Sequence, residues 1–183
     1  MSVNDRQHIG KCMAYLLRHR PQDANLEMDT RGWVDLAALV DGMNGMGYDI
    51  TSADICDTVE NDEKMRFELS SDATYVRALQ GHSVDVDPDL VQATPPDVLY
   101  HGSATRFAPS IEEMGIISQN RNFVHLSLDP ESAKAIGTRH GTPCVYTIDA
   151  GKMARDGYIF YLSRNGIWLT DAVPPEYLTH CVC

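Results

Sequence analysis

The chain has 183 residues, 43% hydrophobic and 22% charged, which is the balance of a globular protein with one ample core or two small ones. A formal net charge of −11 argues against coating nucleic acid nonspecifically, which takes many lysines and arginines, but leaves room for gripping a few phosphates through a local arginine cluster. No apolar run approaches the roughly 20 residues of a membrane span and Met1-Ser2-Val3-Asn4-Asp5 does not read as a secretory leader, so a cytoplasmic location without membrane attachment is expected.

Apolar residues at Ile9, Cys12, Met13, Leu16 and Leu17 recur at the spacing of an amphipathic helix, which Pro21 ends. Arg18, His19 and Arg20 then crowd its carboxyl end. The helix dipole favours cations there by about 0.3–1 kcal/mol, which accounts for one or two of them; three together, with an imidazole among them, also suit an anion grip. Gly32-Trp33-Val34-Asp35-Leu36 turns into a helix with Asp35 as N-cap, and Thr51-Ser52-Ala53-Asp54 opens another through Ile55 and Val59. Two short strands follow, Arg66-Phe67-Glu68-Leu69 and Tyr75-Val76-Arg77-Ala78, with the turn at Ser70-Ser71-Asp72-Ala73. Three helices and a hairpin over residues 1–84 have the shape of a small winged-helix lobe.

Residues 85–97 are acidic and contain Pro88, Pro95 and Pro96, so an extended linker poor in regular structure is expected there. Residues 98–183 alternate strand and helix: strand 98–101, helix near 107–114, strand 123–126, helix near 130–137, then strands 143–149, 158–161 and 166–169. Pro130 suits the first position of a helix and Gly115 a helix end. The fold class is α+β, with a mostly antiparallel sheet at the centre of the second lobe. No P-loop or GxGxxG fingerprint is present, so a nucleotide would need another scaffold. Cys12, Cys56, Cys144, Cys181 and Cys183 lack the spacing of a zinc site or a disulfide framework, and the last two read as a frayed tail.

Two stretches carry the strongest chemical signal. Val98-Leu99-Tyr100-His101-Gly102-Ser103 is a strand ending in an imidazole, a flexible backbone and a hydroxyl, and Phe123-Val124-His125-Leu126-Ser127 repeats the pattern. Paired strands would bring His101 and His125 to one cleft, where a neutral imidazole donates to ribose hydroxyls or phosphate and the Gly102 backbone approaches a ligand closely. The plainer alternative is two half-buried strand histidines.

Leu16-Leu17-Arg18-His19, Lys64-Met65-Arg66-Phe67, Arg77-Ala78-Leu79-Gln80-Gly81-His82-Ser83, Leu99-Tyr100-His101-Gly102-Ser103, Arg121-Asn122-Phe123-Val124-His125-Leu126-Ser127, Arg139-His140-Gly141 and Asn165-Gly166-Ile167-Trp168-Leu169-Thr170 occur in this order. Together they closely resemble the NAD-dependent RNA 2′-phosphotransferase family, over nearly the whole chain. The resemblance implies a winged-helix lobe joined to an ADP-ribosyltransferase-type lobe. It also implies a monomer acting on 2′-phosphorylated, tRNA-like RNA, with NAD consumed as co-substrate and no metal. In the family's reaction the RNA 2′-phosphate displaces nicotinamide from NAD. The ribose 2″-hydroxyl then attacks the phosphorus, releasing 2′-hydroxyl RNA and ADP-ribose 1″,2″-cyclic phosphate.

By motif, the catalytic set implied is Arg18, His19, Arg66 and Arg121, and the NAD-binding set is His101, Gly102, Ser103, His125, Ser127, Asn165 and Ile167. Guanidinium suits a phosphate that gains charge in the transition state, because it grips bidentately and stays ionised. His19 is the member that titrates near neutrality, and its role as proton carrier or hydrogen-bond donor stays open. The site is expected between the lobes. Asn165 and Ile167 are expected on a strand that lacks the glutamate common in other ADP-ribosyltransferases. Asn122 and Arg20 depart from residues common in relatives, outside the catalytic set. Plainer readings stand beside these: Arg66 and Arg77 as solvated cross-strand partners of Glu68 and Asp72, Trp33 and Trp168 as core, Arg139-His140 as a helix cap, His82 as an RNA contact or a staple. The other enzymatic reading is an ADP-ribosyltransferase that caps RNA or DNA phosphates and omits the second step.

Overall fold

In the computed structural model, which describes residues 2–87 and 89–182 and only the backbone of Asn4, His180, Cys181 and Val182, the first helix starts before its apolar stripe. Helix α1 (Val3–Arg18) is opened by a capping box in which the Ser2 hydroxyl accepts from Asp5 N and the Asp5 carboxylate accepts from Ser2 N. Its buried stripe of Ile9, Cys12, Met13, Leu16 and Leu17 lies in the core of the first of two units, Met1–Asp89 and Leu90–Cys183. His19 caps the helix and Pro21 begins a single 3-10 turn, Pro21–Ala24.

Strand β1 (Val34–Asp35) leads into α2 (Leu36–Gly45), whose N-cap Asp35 accepts from Ala38 N. Helix α3 (Ser52–Glu60) is capped by Thr51 in a reciprocal box with Asp54. Strands β2 (Phe67–Leu69) and β3 (Tyr75–Ala78) form the expected hairpin, and β1 adds to it in the order β1-β3-β2, all antiparallel.

The stretch expected as a linker is held at both ends. The Asp87 amide donates to Thr30 O and Asp89 pairs with Arg77, while β4 (Val91–Gln92) joins a sheet of the second unit. The cause at Asp89 is the guanidinium of Arg77, which is buried and demands a carboxylate.

The second unit contains β5 (Val98–Ala104), α4 (Ala108–Met114), β6 (Ile116–Ile117), β7 (Val124–Leu126), α5 (Pro130–Gly137) and β8 (Pro143–Asp149). It ends with α6 (Ala150–Arg155), β9 (Tyr161–Leu162), β10 (Trp168–Thr170), β11 (Ala172–Val173) and β12 (Leu178–Val182). The strands pair antiparallel as β12-β8-β5, β4-β9-β10-β7 and β11-β6. Leu99, Leu126, Tyr146, Ile148, Phe160 and Trp168 are buried in its core.

Several expectations are corrected. Strand 158–161 shrinks to Tyr161–Leu162 because Asp149 caps the unforeseen α6, whose end folds back through Gly157 at φ +100°. The backbone of Cys181 and Val182 belongs to β12 rather than to a frayed tail, and Cys183 lies outside the described residues. Cys144 is disulfide-bonded, against the expectation drawn from scattered cysteines, since spacing along the chain does not tell which strands become neighbours. Trp33 is half-buried beneath the Arg77 guanidinium, 4.4 Å from its ring centre, not in the core.

Candidate functional site

In the first unit, the end of α1 meets the segment after β3. Arg18 is 8% exposed, and its guanidinium lies so near Gly81 that a Cβ there would come within 3.5 Å of Cζ. Gly81 also has φ +88°, so this turn needs glycine on both counts. The Ser83 amide donates to Arg18 O at 2.9 Å, and the Ser83 hydroxyl stands 3.0 Å from His19 Nδ1. Arg20 departs from the group: it is exposed and faces Asp23 at 3.5 Å. Two of the three basic residues at the helix end are thus held together, and the third is a surface ion pair.

His82, between Gly81 and Ser83, is 3% exposed and its Nε2 has no hydrogen-bond partner among the described residues. Burial, and then the charges of Arg18, His19 and Arg77, push its pKa down to about 4. It is a neutral imidazole at physiological pH, and its burial leaves no surface for the RNA contact considered from sequence.

Arg66 is positioned by a residue that motif reading passed over. Its Nε donates to both oxygens of Asp62 at 3.1 and 3.0 Å, its Nη2 donates to Oδ1 at 2.7 Å, and its own amide donates to Oδ2 at 2.7 Å. The Asp62 side chain is 3% exposed; burial pushes its pKa up, yet the Arg66 guanidinium and amide prevail and hold it below the ordinary carboxylate value. Met65 makes this possible by adopting φ +43°, a conformation costing a bulky residue about 1 kcal/mol or more. Arg66 Nη1 makes no hydrogen bond among the described residues, so one edge of the fork is fixed and the other is presented.

The cross-strand alternatives resolve differently from expectation. Glu68 serves Arg77, not Arg66, accepting from Nε and Nη2 at 2.8 Å. Arg77 is 1% exposed rather than solvated, and its Nη1 donates to Asp89 at 2.9 Å. Asp72 instead organises the hairpin turn, where Ser70 and Thr74 donate to it and lower its pKa to about 2. Arg77 is a structural clamp.

In the second unit, β5 and β7 are not sheet neighbours: β5 pairs β8, and β7 pairs β10. One bridge joins them nonetheless, with Tyr100 and Ser127 exchanging both amide bonds at 2.9 and 2.8 Å. His101 Nδ1 donates to His125 O at 3.1 Å, so His101 carries its proton on Nδ1; its pKa is lowered by burial above all, with a further push from His140. His125 Nδ1 donates to Phe123 O. His101, His125 and Ser127 are therefore gathered at one place, with His101 neutral.

Gly102 has a different reason from the one expected. A Cβ there would stand 1.7 Å from Ala133 O, and one on Gly137 would stand 2.4 Å from Ser103 O. The two glycines let α5 lie directly on β5, and Ser103 is buried beside that contact. Asn165 and Ile167 are not on a strand. They lie in the tight turn before β10, where the Ser163 hydroxyl donates to Asn165 Oδ1 and accepts from Ile167 N, and Gly166 has φ +77°. The serine side chain takes up the Ile167 amide, so β10 begins only at Trp168.

Arg121 is exposed, and its pKa is lowered by partial burial and by the like charge of Arg139. Arg139 and His140 occupy a 3-10 turn after α5, Thr138–His140, from which the charge of Arg139 acts on Arg121 and that of His140 on His101. Among the described residues no carboxylate pairs with Arg121 or Arg139, and no group of three His, Cys, Asp or Glu is arranged to hold a metal. No helix among them is long and apolar enough to cross a membrane.

Residues 4–172 match the family model described as RNA 2′-phosphotransferase, Tpt1 / KptA family. Among similar proteins, one named probable RNA 2′-phosphotransferase from Acaryochloris marina is 47% identical over 92% of this chain and 93% of its own. A protein of the same name from Hahella chejuensis is also 47% identical, over 92% and 91%. Another from Flavobacterium johnsoniae is 40% identical over 97% and 98%. With the match running through both units, the chain belongs to the RNA 2′-phosphotransferase family of enzymes.

Proposed function

We propose that this protein removes an internal RNA 2′-phosphate by transferring it to NAD in two steps. In the first, a 2′-phosphate oxygen bonds to the riboside carbon of NAD as the carbon–nitrogen bond breaks, and nicotinamide leaves with the electron pair. In the second, the 2″-hydroxyl oxygen bonds to phosphorus, the bond from phosphorus to the RNA 2′-oxygen breaks, and the 2″ proton passes by way of the protein to that leaving oxygen. The products are 2′-hydroxyl RNA, ADP-ribose 1″,2″-cyclic phosphate and nicotinamide.

The observation that carries this reading is the Asp62–Arg66 grip. A guanidinium with its Nε edge locked to a buried carboxylate and Nη1 presented is pre-oriented for a phosphoryl oxygen, so little reorganisation remains when charge develops. Arg18, His19 and Arg121 complete the phosphate-handling set, while His101, Gly102, Ser103, His125, Ser127, Asn165 and Ile167 are assigned to NAD. Three helices with the sheet β1-β3-β2 support reading the first unit as a winged-helix lobe, and the antiparallel sheets of the second support an ADP-ribosyltransferase-type lobe. We further propose a cytoplasmic monomer that needs no metal.

The test is product analysis with a 2′-phosphorylated oligonucleotide and labelled NAD. The reading expects one NAD consumed per phosphate removed, cyclic phosphate as product, and the same rate in EDTA. A stable ADP-ribosylated RNA as end product would instead establish the capping transferase, and a rate lost in EDTA and restored by a divalent ion would refute the metal-free mechanism.

A further inference from the structure

We propose that Met65 is a substrate-binding residue whose thioether packs on the base of the nucleotide that carries the 2′-phosphate, so that two consecutive residues hold the base and the phosphate of one nucleotide. This rests on the reading of Arg66 as part of the phosphate-handling set, and it deepens a grip on phosphate into a grip on a whole nucleotide.

Met65 is a costly residue where it stands. Its backbone has φ +43°, a conformation that glycine or asparagine adopts more readily, and its side chain is 58% exposed. The tight turn accounts for the backbone: Met65 N donates to Asp62 O at 2.7 Å and Arg66 N donates to Asp62 Oδ2 at 2.7 Å, which brings the carboxylate to the guanidinium. It does not account for the side chain, since glycine would close the same turn without strain and without putting apolar surface in water. Backbone strain and an exposed thioether, side by side next to a phosphate-handling arginine, point to a contact made with the ligand.

The identity of the group contacted follows from the covalent structure of the substrate. The base is bonded to the ribose carbon next to the one whose oxygen carries the 2′-phosphate, so a phosphate held at Arg66 keeps its base within a few bonds of the same turn. The guanidinium is walled elsewhere: Asp62 accepts from Nε and Nη2, a Cβ on Gly10 of α1 would stand 3.8 Å from Nη2, and the buried Phe67 ring has its centre 5.6 Å from Cζ. Between Asp62 and Arg66 the chain exposes Glu63, Lys64 and Met65, and of these Met65 alone offers an uncharged apolar face. A thioether is unbranched and polarizable and makes favourable contacts with aromatic rings. It carries no strong donor or acceptor, so it senses that a base is present and not which base it is.

The experiment measures binding by the full chain without NAD, so that no reaction intervenes. Fluorescence anisotropy compares two labelled RNA oligonucleotides that each carry one internal 2′-phosphate and differ only in that the phosphorylated nucleotide of the second lacks its base. The native protein is expected to bind the base-bearing RNA about 5-fold more tightly, and Met65→Gly to bind the two equally, its loss falling on the base-bearing RNA. Met65→Leu, still apolar, should keep most of the discrimination. Glycine takes the left-handed backbone freely, so Met65→Gly should fold; if it does not, Met65→Asn gives the same comparison. A native protein that binds both RNAs equally overturns the proposal. So does a Met65→Gly protein weakened equally toward both, which would show that Met65 acts only through the turn and Arg66, and so does discrimination that survives in Met65→Gly. Base sensing through Met65 in a protein that does not consume NAD would leave this inference standing and remove the proposed function instead.

Discussion

Arg66 and Arg121 belong to the same proposed catalytic set, yet their two units treat them in opposite ways. Arg66 is tied along its Nε edge to the buried carboxylate of Asp62, whereas Arg121 is acted on by the like charge of Arg139 and has no ion-pair carboxylate among the described residues. A compensated guanidinium is oriented before any ligand arrives. One facing a like charge is poised at a higher electrostatic cost, which an arriving anion relieves. The first unit thus spends its geometry on orientation, and the second keeps positive charge in reserve.

The largest effect should come from removing the oriented cation. Arg66→Ala is expected to slow transesterification by about 100- to 1000-fold, the size of one lost preorganised donor, or about 3–4 kcal/mol on the barrier. Nicotinamide release should suffer less, so a quenched time course shows 2′-phospho-ADP-ribosylated RNA building up. A variant that stalls before nicotinamide release, with no such band, would mean that Arg66 binds substrate and that its orientation serves the first step.

His82 extends the comparison within the first unit, because there crowded cations are accommodated by withholding a charge. Its folded pKa is depressed to about 4 from an ordinary 6.5, so between those values the unfolded chain binds the proton and the folded one does not. Stability from this residue is therefore fully present above pH 6.5 and is lost as pH falls toward 4, by up to about 3 kcal/mol. Urea titrations from pH 7 to 4 should show this slope, and His82→Leu should flatten it. An unchanged slope in the variant would show that other groups, such as carboxylates lowered by their caps, dominate acid sensitivity.

Asp62→Asn tests the orientation itself. The amide keeps the shape and can still accept one bond, but it loses the charge. Arg66 is 31% exposed, so the full penalty of a broken buried pair does not apply, and a rate loss of about 10-fold is expected, near 1–2 kcal/mol. Because orientation rather than charge at the phosphate is changed, the same step that Arg66→Ala slows should be slowed here. A loss confined to thermal stability would make Asp62 a folding residue only.

Much of this was legible in the chain. Asp35 and Thr51 announced their helices, Pro130 marked the start of α5, and the hairpin turn at Ser70 to Ala73 was readable from its residue types, since caps and turns are local chemistry. The order of motifs carried the family. What could not be read was set by partners. Asp62 reaches Arg66 only because Met65 takes a left-handed conformation that no propensity favours, and Ser83 meets His19 across 64 positions. Gly102 looked like a ligand-facing glycine because the chain does not reveal that α5 will lie against it. Asn165 and Ile167 looked like strand because the Ser163 hydroxyl, not the pattern, decides where β10 begins.

The smallest effect belongs to Arg139, and it probes the second half of the comparison. If Arg121 is crowded by a like charge, removing that charge should stabilise the ligand-free protein. Both residues reach solvent, so the repulsion is screened and the gain should be only about 0.2–0.5 kcal/mol in Arg139→Gln at low salt. At about 1 M salt, where the screening length falls to roughly 3 Å, the gain should vanish. Repeating the substitution in Arg121→Gln isolates the pair: there, Arg139→Gln should have no stabilising effect at either salt concentration. Loss of stability on removing Arg139 from the otherwise native chain would mean that the guanidinium is held by contacts worth more than the repulsion, and the contrast between a compensated and an uncompensated arginine would fail on the side of the second unit.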